Sequence, residues 1–226
     1  MKQGAIAILP LASGAAIYGF AFGILAAQAG FPWWGVAIMS GAVHAGSSQI
    51  VAVEQFSGGS AILGAALAGA ALNLRYVGIV ASLAPLLQSL PLHLRLLAIH
   101  ITGDENWALT MAERAKNPAI GAAFLLGAGF VMISVWTAST ALGALLGASL
   151  PDLEAFGLGF AFTAAFIAMA RGLWQGRQNL LPWLVSFAVT GLLVMSGLPK
   201  AYAIVGGTLC GLILATVARQ RRSTKE

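Results

Sequence analysis

Charge is what this chain lacks most. Only 8% of its 226 residues are charged, against roughly 25% in an ordinary soluble domain. Mean hydropathy is correspondingly high, at +0.87. No Asp, Glu, Lys or Arg occurs from Gln3 to Val53, from Gln55 to Leu74, from Asn117 to Pro151 or from Gln178 to Pro199. Runs of that length exclude a soluble globular fold, since one bilayer crossing takes about 20 apolar residues of helix. None of them alternates apolar with polar residues as a lipid-facing strand does, which argues against a β-barrel. The expected fold class is all-α: a polytopic membrane helix bundle.

Cysteine is almost missing too. Cys210 stands alone in an apolar run, so no internal disulfide and no thiolate metal cluster is expected. Catalytic signatures are equally thin. Ala45-Gly46-Ser47-Ser48-Gln49 is not the G-x-S-x-G elbow, and the histidines are His44, His93 and His100, none placed late in the chain as a hydrolase base. Neither HExxH nor a P-loop occurs. The chain is therefore expected not to be an enzyme and to need no cofactor or metal.

The charges that are present mark sides. The net charge of +5 comes from short connections and from the terminal RQRRSTKE of residues 219–226. Basic residues so placed point to the cytoplasmic face and to anionic lipid, not to nucleic acid. Arg114 with Lys116, then Arg171 with Arg177, then residues 219–226 all read as cytoplasmic, with Asp152 and Glu154 on the opposite turn. The C-terminus is expected inside.

Apolar blocks between turn signals predict spans near 5–28, 33–53, 60–87, 119–148, 155–173, 179–196 and 200–218, about seven in all. The first block is too long for a cleaved signal peptide and continues into the next, so it is expected to stay and span. Lys2 inside and basic Arg95 inside conflict across three crossings. Either the N-terminus is outside, or residues 91–113 hold an extra, broken crossing; the second reading is preferred. The whole of 1–226 reads as one transporter domain with a basic tail, 219–226. GFAF recurs at 19–22 and 159–162, which predicts repeats over 5–88 and 155–219, linked by 89–154 and related by inversion.

Two stretches break the apolar monotony. Met39 to Gln49, MSGAVHAGSSQ, surrounds His44 with glycine and serine. Small residues there either let helices pack closely or mark a broken helix whose freed N–H groups hold a carboxylate. Asn73-Leu74-Arg75 puts a guanidinium deep in an apolar run, which costs several kcal/mol unless it is paired or wet. It either snorkels from a helix end or serves a function, with Glu54 the nearest acid in sequence. His44 either bonds a neighbouring helix or couples protons. Asp104 and Glu105 either cap a helix or line a gate. Phe31, Trp33, Trp34 and Trp183, beside Pro32 and Pro182, fit an interfacial aromatic belt.

With these residues in view, the chain resembles the AzlC family of branched-chain amino acid permeases over nearly its whole length. The likeness rests on Tyr18-Gly19-Phe20-Ala21-Phe22-Gly23, on Met39-Ser40 with Ala45 to Gln49, on Asn73-Leu74-Arg75 running to Ser82-Leu83-Ala84-Pro85, and on Asp104-Glu105. The resemblance implies one half of a two-component exporter of leucine, isoleucine, valine and in some cases methionine. Its other half is a small AzlD-type membrane protein, and both lie in the bacterial inner membrane. Three departures bear on substrate choice and proton handling: His44 replaces an aromatic residue, Ile79-Val80 a Tyr-Gly, and Gly103 a threonine.

A branched-chain zwitterion brings a carboxylate, an ammonium and a hydrocarbon. On this reading the N–H groups of Gly46, Ser47 and Ser48, with Gln49 and Arg75, take the carboxylate, and helix-end carbonyls or Asn73 take the ammonium. Phe20, Phe22 and Met39 face the side chain. His44, Glu54, Asp104 or Glu105 couples or gates, driven by the proton motive force. The competing readings are a non-transporting scaffold subunit, which has no use for a deep arginine, and a passive channel, which calls for a more continuous polar stripe.

Overall fold

Proline and glycine set where the apolar runs break in the computed structural model, which describes residues 1–57, 62–147, 180–198 and 200–223 with single positions at 149, 167, 174, 176 and 177. All regular structure among the described residues is helical. In chain order the elements are α1 (Lys2–Ala7), α2 (Leu9–Gln28), α3 (Trp33–Val43), α4 (Gly46–Ser57), α5 (Ile62–Asn73) and α6 (Arg75–Leu87). They continue with α7 (Leu92–His100), α8 (Asp104–Lys116), α9 (Ala122–Gly147), α10 (Leu180–Met195) and α11 (Lys200–Ser223).

Helices α2 and α9, of 20 and 26 residues, are long and apolar enough to cross a bilayer, in accord with the runs predicted over 5–28 and 119–148. Pro10 in the first turn of α2 separates it from α1, because proline has no N–H for the preceding turn. The run predicted over 33–53 is two helices broken at His44 and Ala45, and that over 60–87 is α5 and α6, broken at Leu74. Residues 91–113 form α7 and most of α8 around a break at Thr102 and Gly103. Apart from the single position 167, the span over 155–173 lies outside the described residues, as do the second GFAF, Asp152, Glu154, Arg171 and residues 224–226.

The centre of the bundle is α9. It packs along α2 and α3 and also touches α1, α7 and α8. Glycine makes the approach close: Gly23 faces the backbone of Thr140, Gly143 the backbone of Phe20, and Gly4 the backbone of Phe124. A Cβ at any of these would overlap the facing backbone. This is the small-residue contact by which helices associate where lipid removes the hydrophobic drive. One buried cluster joins Phe22, Val36, Ile50, Val53 and Trp136. Another joins Ile79, Leu83 and Leu87 of α6 to Ala98 of α7 and Leu125 of α9. Helices α10 and α11 pair with each other, and α11 reaches α5. They leave Leu181, Phe187, Leu192 and Met195 largely exposed, as suits surface that faces lipid tails.

Candidate functional site at the meeting of three helix breaks

Each break has a local cause. α3 ends because His44 is left-handed, φ 45° and ψ 43°, the one non-glycine residue with positive φ among the described residues. Its N–H still donates to the Ser40 carbonyl at 3.1 Å. α4 then restarts at Gly46, where a side chain has no room: a Cβ would lie 2.8 Å from the Trp136 indole and 3.1 Å from the Tyr18 ring. The N–H groups of the first turn, Gly46 to Ser48, have no intrahelical acceptor.

α7 gives way to α8 at Gly103, which is extended. The buried Asn106 fixes that turn, accepting from the Gly103 N–H at 2.6 Å and donating to the Ile101 carbonyl at 3.3 Å. Between α5 and α6, Leu74 keeps helical angles. The Val77 N–H reaches back to the Leu74 carbonyl at 3.1 Å, one residue short of the α-helical partner.

The three breaks enclose a cavity of about 40 Å³ lined by Tyr18, His44, Ser47, Arg75, Asp104 and Glu105, with Met132 and Trp136 of α9 behind. Arg75, at the N-terminus of α6, pairs with Asp104, at the N-terminus of α8, at 3.0 Å. About a third of each side chain remains exposed, 38% and 30%. Tyr76 donates to the His44 carbonyl at 3.4 Å. His100 lies with Nε2 2.9 Å from the Gly41 carbonyl, linking α7 to α3. His44 itself is buried, 7% exposed, with neither ring nitrogen hydrogen-bonded, and the buried Ser47 hydroxyl is likewise unmatched. Buried polar atoms left so are costly, and each calls for a physical reason.

A second, larger cavity of about 340 Å³ opens between α3, α4 and α5. Its walls are apolar, with Met39, Phe56 and Ala66 among them, and Ser48, Gln49 and Asn73 supply the polar atoms. Ser47 and Ser48, adjacent on α4, thus border different cavities.

The expected site residues divide accordingly. His44, Gly46, Ser47, Arg75, Asp104 and Glu105 come together at the polar cavity, and Met39, Ser48, Gln49 and Asn73 at the apolar one. Asn73 accepts from the Ser48 hydroxyl at 2.7 Å. The Gln49 amide is engaged at both ends: it donates to Ser40 at 3.0 Å and accepts from Trp136 Nε1 at 3.0 Å. Thr140 donates to the same Ser40 hydroxyl at 2.8 Å. Gln49 is therefore a tie between α3, α4 and α9. Phe22 is fully buried and stacks on Trp136 with centroids 6.2 Å apart, and neither it nor Phe20 lines either of these two cavities. Glu54 lies on α4 with its side chain outside the described set, and the acid found on Arg75 is Asp104.

Sequence reasoning passed over Tyr76, Met132 and Trp136 and used Tyr18 only as part of a motif. Trp136 carried a signal: it is the lone tryptophan of the uncharged run 117–151, far from either interface where that residue ordinarily sits.

Fold and site together define an all-helical membrane protein with a charged cavity at the junction of broken helices. The comparisons make this specific: a model described as AzlC protein matches residues 10–150, and the chain belongs to the AzlC family. It is 30% identical over 207 residues to the inner membrane protein YgaZ of Escherichia coli K12, covering 88% of this chain and 82% of that one. It is 28% identical over 219 residues to an uncharacterized membrane protein of Archaeoglobus fulgidus, covering 96% and 91%. Another such protein, from Helicobacter pylori J99, is 26% identical over 163 residues, covering 72% and 71%. No solved structure matches.

Proposed function

We propose that this chain is the larger subunit of a two-component secondary transporter that exports valine, leucine and isoleucine, and in some cases methionine, across the bacterial inner membrane. The carrying observation is the Arg75 to Asp104 ion pair facing the unmatched His44 and Ser47 in one cavity. A scaffold subunit gains nothing from a guanidinium and unsatisfied polar atoms gathered at three helix breaks, whereas a carrier of zwitterions needs them.

In this reading the substrate carboxylate sits on Arg75, the Ser47 hydroxyl and the first-turn N–H groups of α4. The hydrocarbon side chain enters the apolar cavity beside Ser48. A cavity of about 40 Å³ holds a few waters and not a leucine, so the ion pair must open to load. The protein carries out no covalent chemistry. Export against a gradient draws on the proton motive force, worth about 2.3 kcal/mol per charge per 100 mV, with Glu54, His44, Asp104 or Glu105 the titrating group. The full chain makes about seven crossings built as an inverted repeat, its C-terminus is cytoplasmic on anionic lipid, and a small AzlD-type protein completes the unit.

The experiment is to co-express the chain with an AzlD-type partner in cells lacking their own exporter. Tolerance to toxic branched-chain analogues and efflux of labelled leucine are then measured. Raised tolerance with uncoupler-sensitive efflux supports the proposal. Unchanged tolerance and efflux, with both proteins present in the membrane, refutes it.

A further inference from the structure

Charge is unbalanced in the polar cavity. One guanidinium, Arg75, faces two carboxylates, Asp104 and Glu105. Among the described residues Arg75 pairs with Asp104 and Lys116 with Glu113, and Glu105 is in neither pair. With both acids ionised the cavity carries one surplus negative charge, and His44 beside it, more than nine-tenths buried, has no partner on either ring nitrogen.

Acceptor atoms converge on one spot there. A methyl group set on Gly103 would lie 3.3 Å from Glu105 Oε2, 3.4 Å from His44 Nε2 and 3.6 Å from Asn106 Oδ1. With its proton on Nδ1, His44 offers the Nε2 lone pair. Asn106 Oδ1 accepts from the Gly103 N–H and holds the turn in place. Glu105 and His44 line the cavity on either side of this bare glycine, whereas Asn106 is fully buried behind it, so a primary ammonium entering there meets a carboxylate oxygen and a ring nitrogen.

We infer that the bare face of Gly103, flanked by Glu105 and His44, is the ammonium subsite of the cavity, set against a carboxylate subsite at Arg75 and the α4 N-terminus. This rests on the transport reading and replaces the sequence-based expectation that helix-end carbonyls or Asn73 take the ammonium; Asn73 is bonded to Ser48 at the apolar cavity. The consequence is selectivity by charge pattern. A zwitterion places its carboxylate on the guanidinium and its ammonium on the surplus acid. A 2-oxo acid leaves Glu105 and His44 unmatched, and a simple amine leaves Arg75 without its anion.

The test uses the full chain, with its small partner, in liposomes, with labelled leucine and two unlabelled competitors: 4-methyl-2-oxopentanoate, which lacks the ammonium, and 3-methylbutylamine, which lacks the carboxylate. Wild type should bind leucine at least about 100-fold more tightly than either, as a site built around a polar group rejects the analogue without it. Glu105→Gln should weaken leucine about tenfold and leave the oxo acid unchanged or improved. Gly103→Ala, which sets a methyl in the subsite, should narrow the same ratio. An oxo acid that rivals leucine in wild type, or variants that weaken both ligands in parallel, overturns the inference and leaves the transport reading standing. Absence of leucine binding and flux in wild type overturns both.

Discussion

Arg75 and Asp104 meet at 3.0 Å, each at the first position of its own helix. The two are not equivalent. An acid at a helix N-terminus is held by the helix dipole, whereas a guanidinium there opposes it. Arg75 therefore keeps its place against α6 and depends on Asp104, which α8 holds ready.

Removing either partner should accordingly be worse than removing both. Arg75→Ala and Asp104→Ala are each expected to lower thermal stability in detergent, with a coupling of about 1 kcal/mol in the double-mutant cycle, a value set by the remaining solvent exposure. Flux should vanish in all three proteins. Additive effects on melting would show that the pair contributes nothing to the fold.

The His44 backbone makes a separate demand. Left-handed angles cost a β-branched residue about 1–2 kcal/mol, while asparagine adopts them readily. His44→Val should melt lower than wild type by that amount and His44→Asn should not. Equal melting of the two would mean that the α3 to α4 break is not fixed by residue 44.

A buried tie is tested by Trp136→Phe. The ring volume is mostly kept, but Gln49 Oε1 loses the indole donor, and an unmatched buried acceptor costs about 1–3 kcal/mol. Trp136→Phe combined with Gln49→Leu should recover part of that loss, read as thermal unfolding. No recovery would mean that the indole acts through its bulk alone.

Close packing of α2 gives a matched pair of substitutions. Gly14 has nothing within 4 Å of its missing Cβ, so Gly14→Ala should be neutral or stabilising by up to about 1 kcal/mol. Gly23 faces the Thr140 backbone, and Gly23→Ala should destabilise by about 1–3 kcal/mol or more. Expression of monodisperse protein separates them.

Much of this was legible in order along the chain. The uncharged runs give the helices, and the small residues around His44 mark a break. Arg75 stands out because its run is long enough to make a charge conspicuous. What local pattern cannot give is pairing across breaks. Asp104 follows Arg75 by a whole intervening helix, α7, and only the turn built by Gly103 and Asn106 returns it to α6. Phe22 looked like a pocket residue because it shares a motif with Tyr18. Four residues along a helix is one turn, so both reach Trp136, but the Phe22 ring stacks inside the core while Tyr18 borders the cavity. Gln49 read as a ligand for substrate because its partners, Ser40 and Trp136, lie on two other helices.

The glycine seam between α2 and α9 bears on how such a machine moves. Backbones in direct contact, with Gly23 against Thr140 and Gly143 against Phe20, leave no lubricating layer of side chains to slide past one another. Those two helices thus form a fixed mast. On the transport reading, rocking that exposes Arg75 first to one side and then to the other would fall to the short half-helices that meet at His44, Leu74 and Gly103.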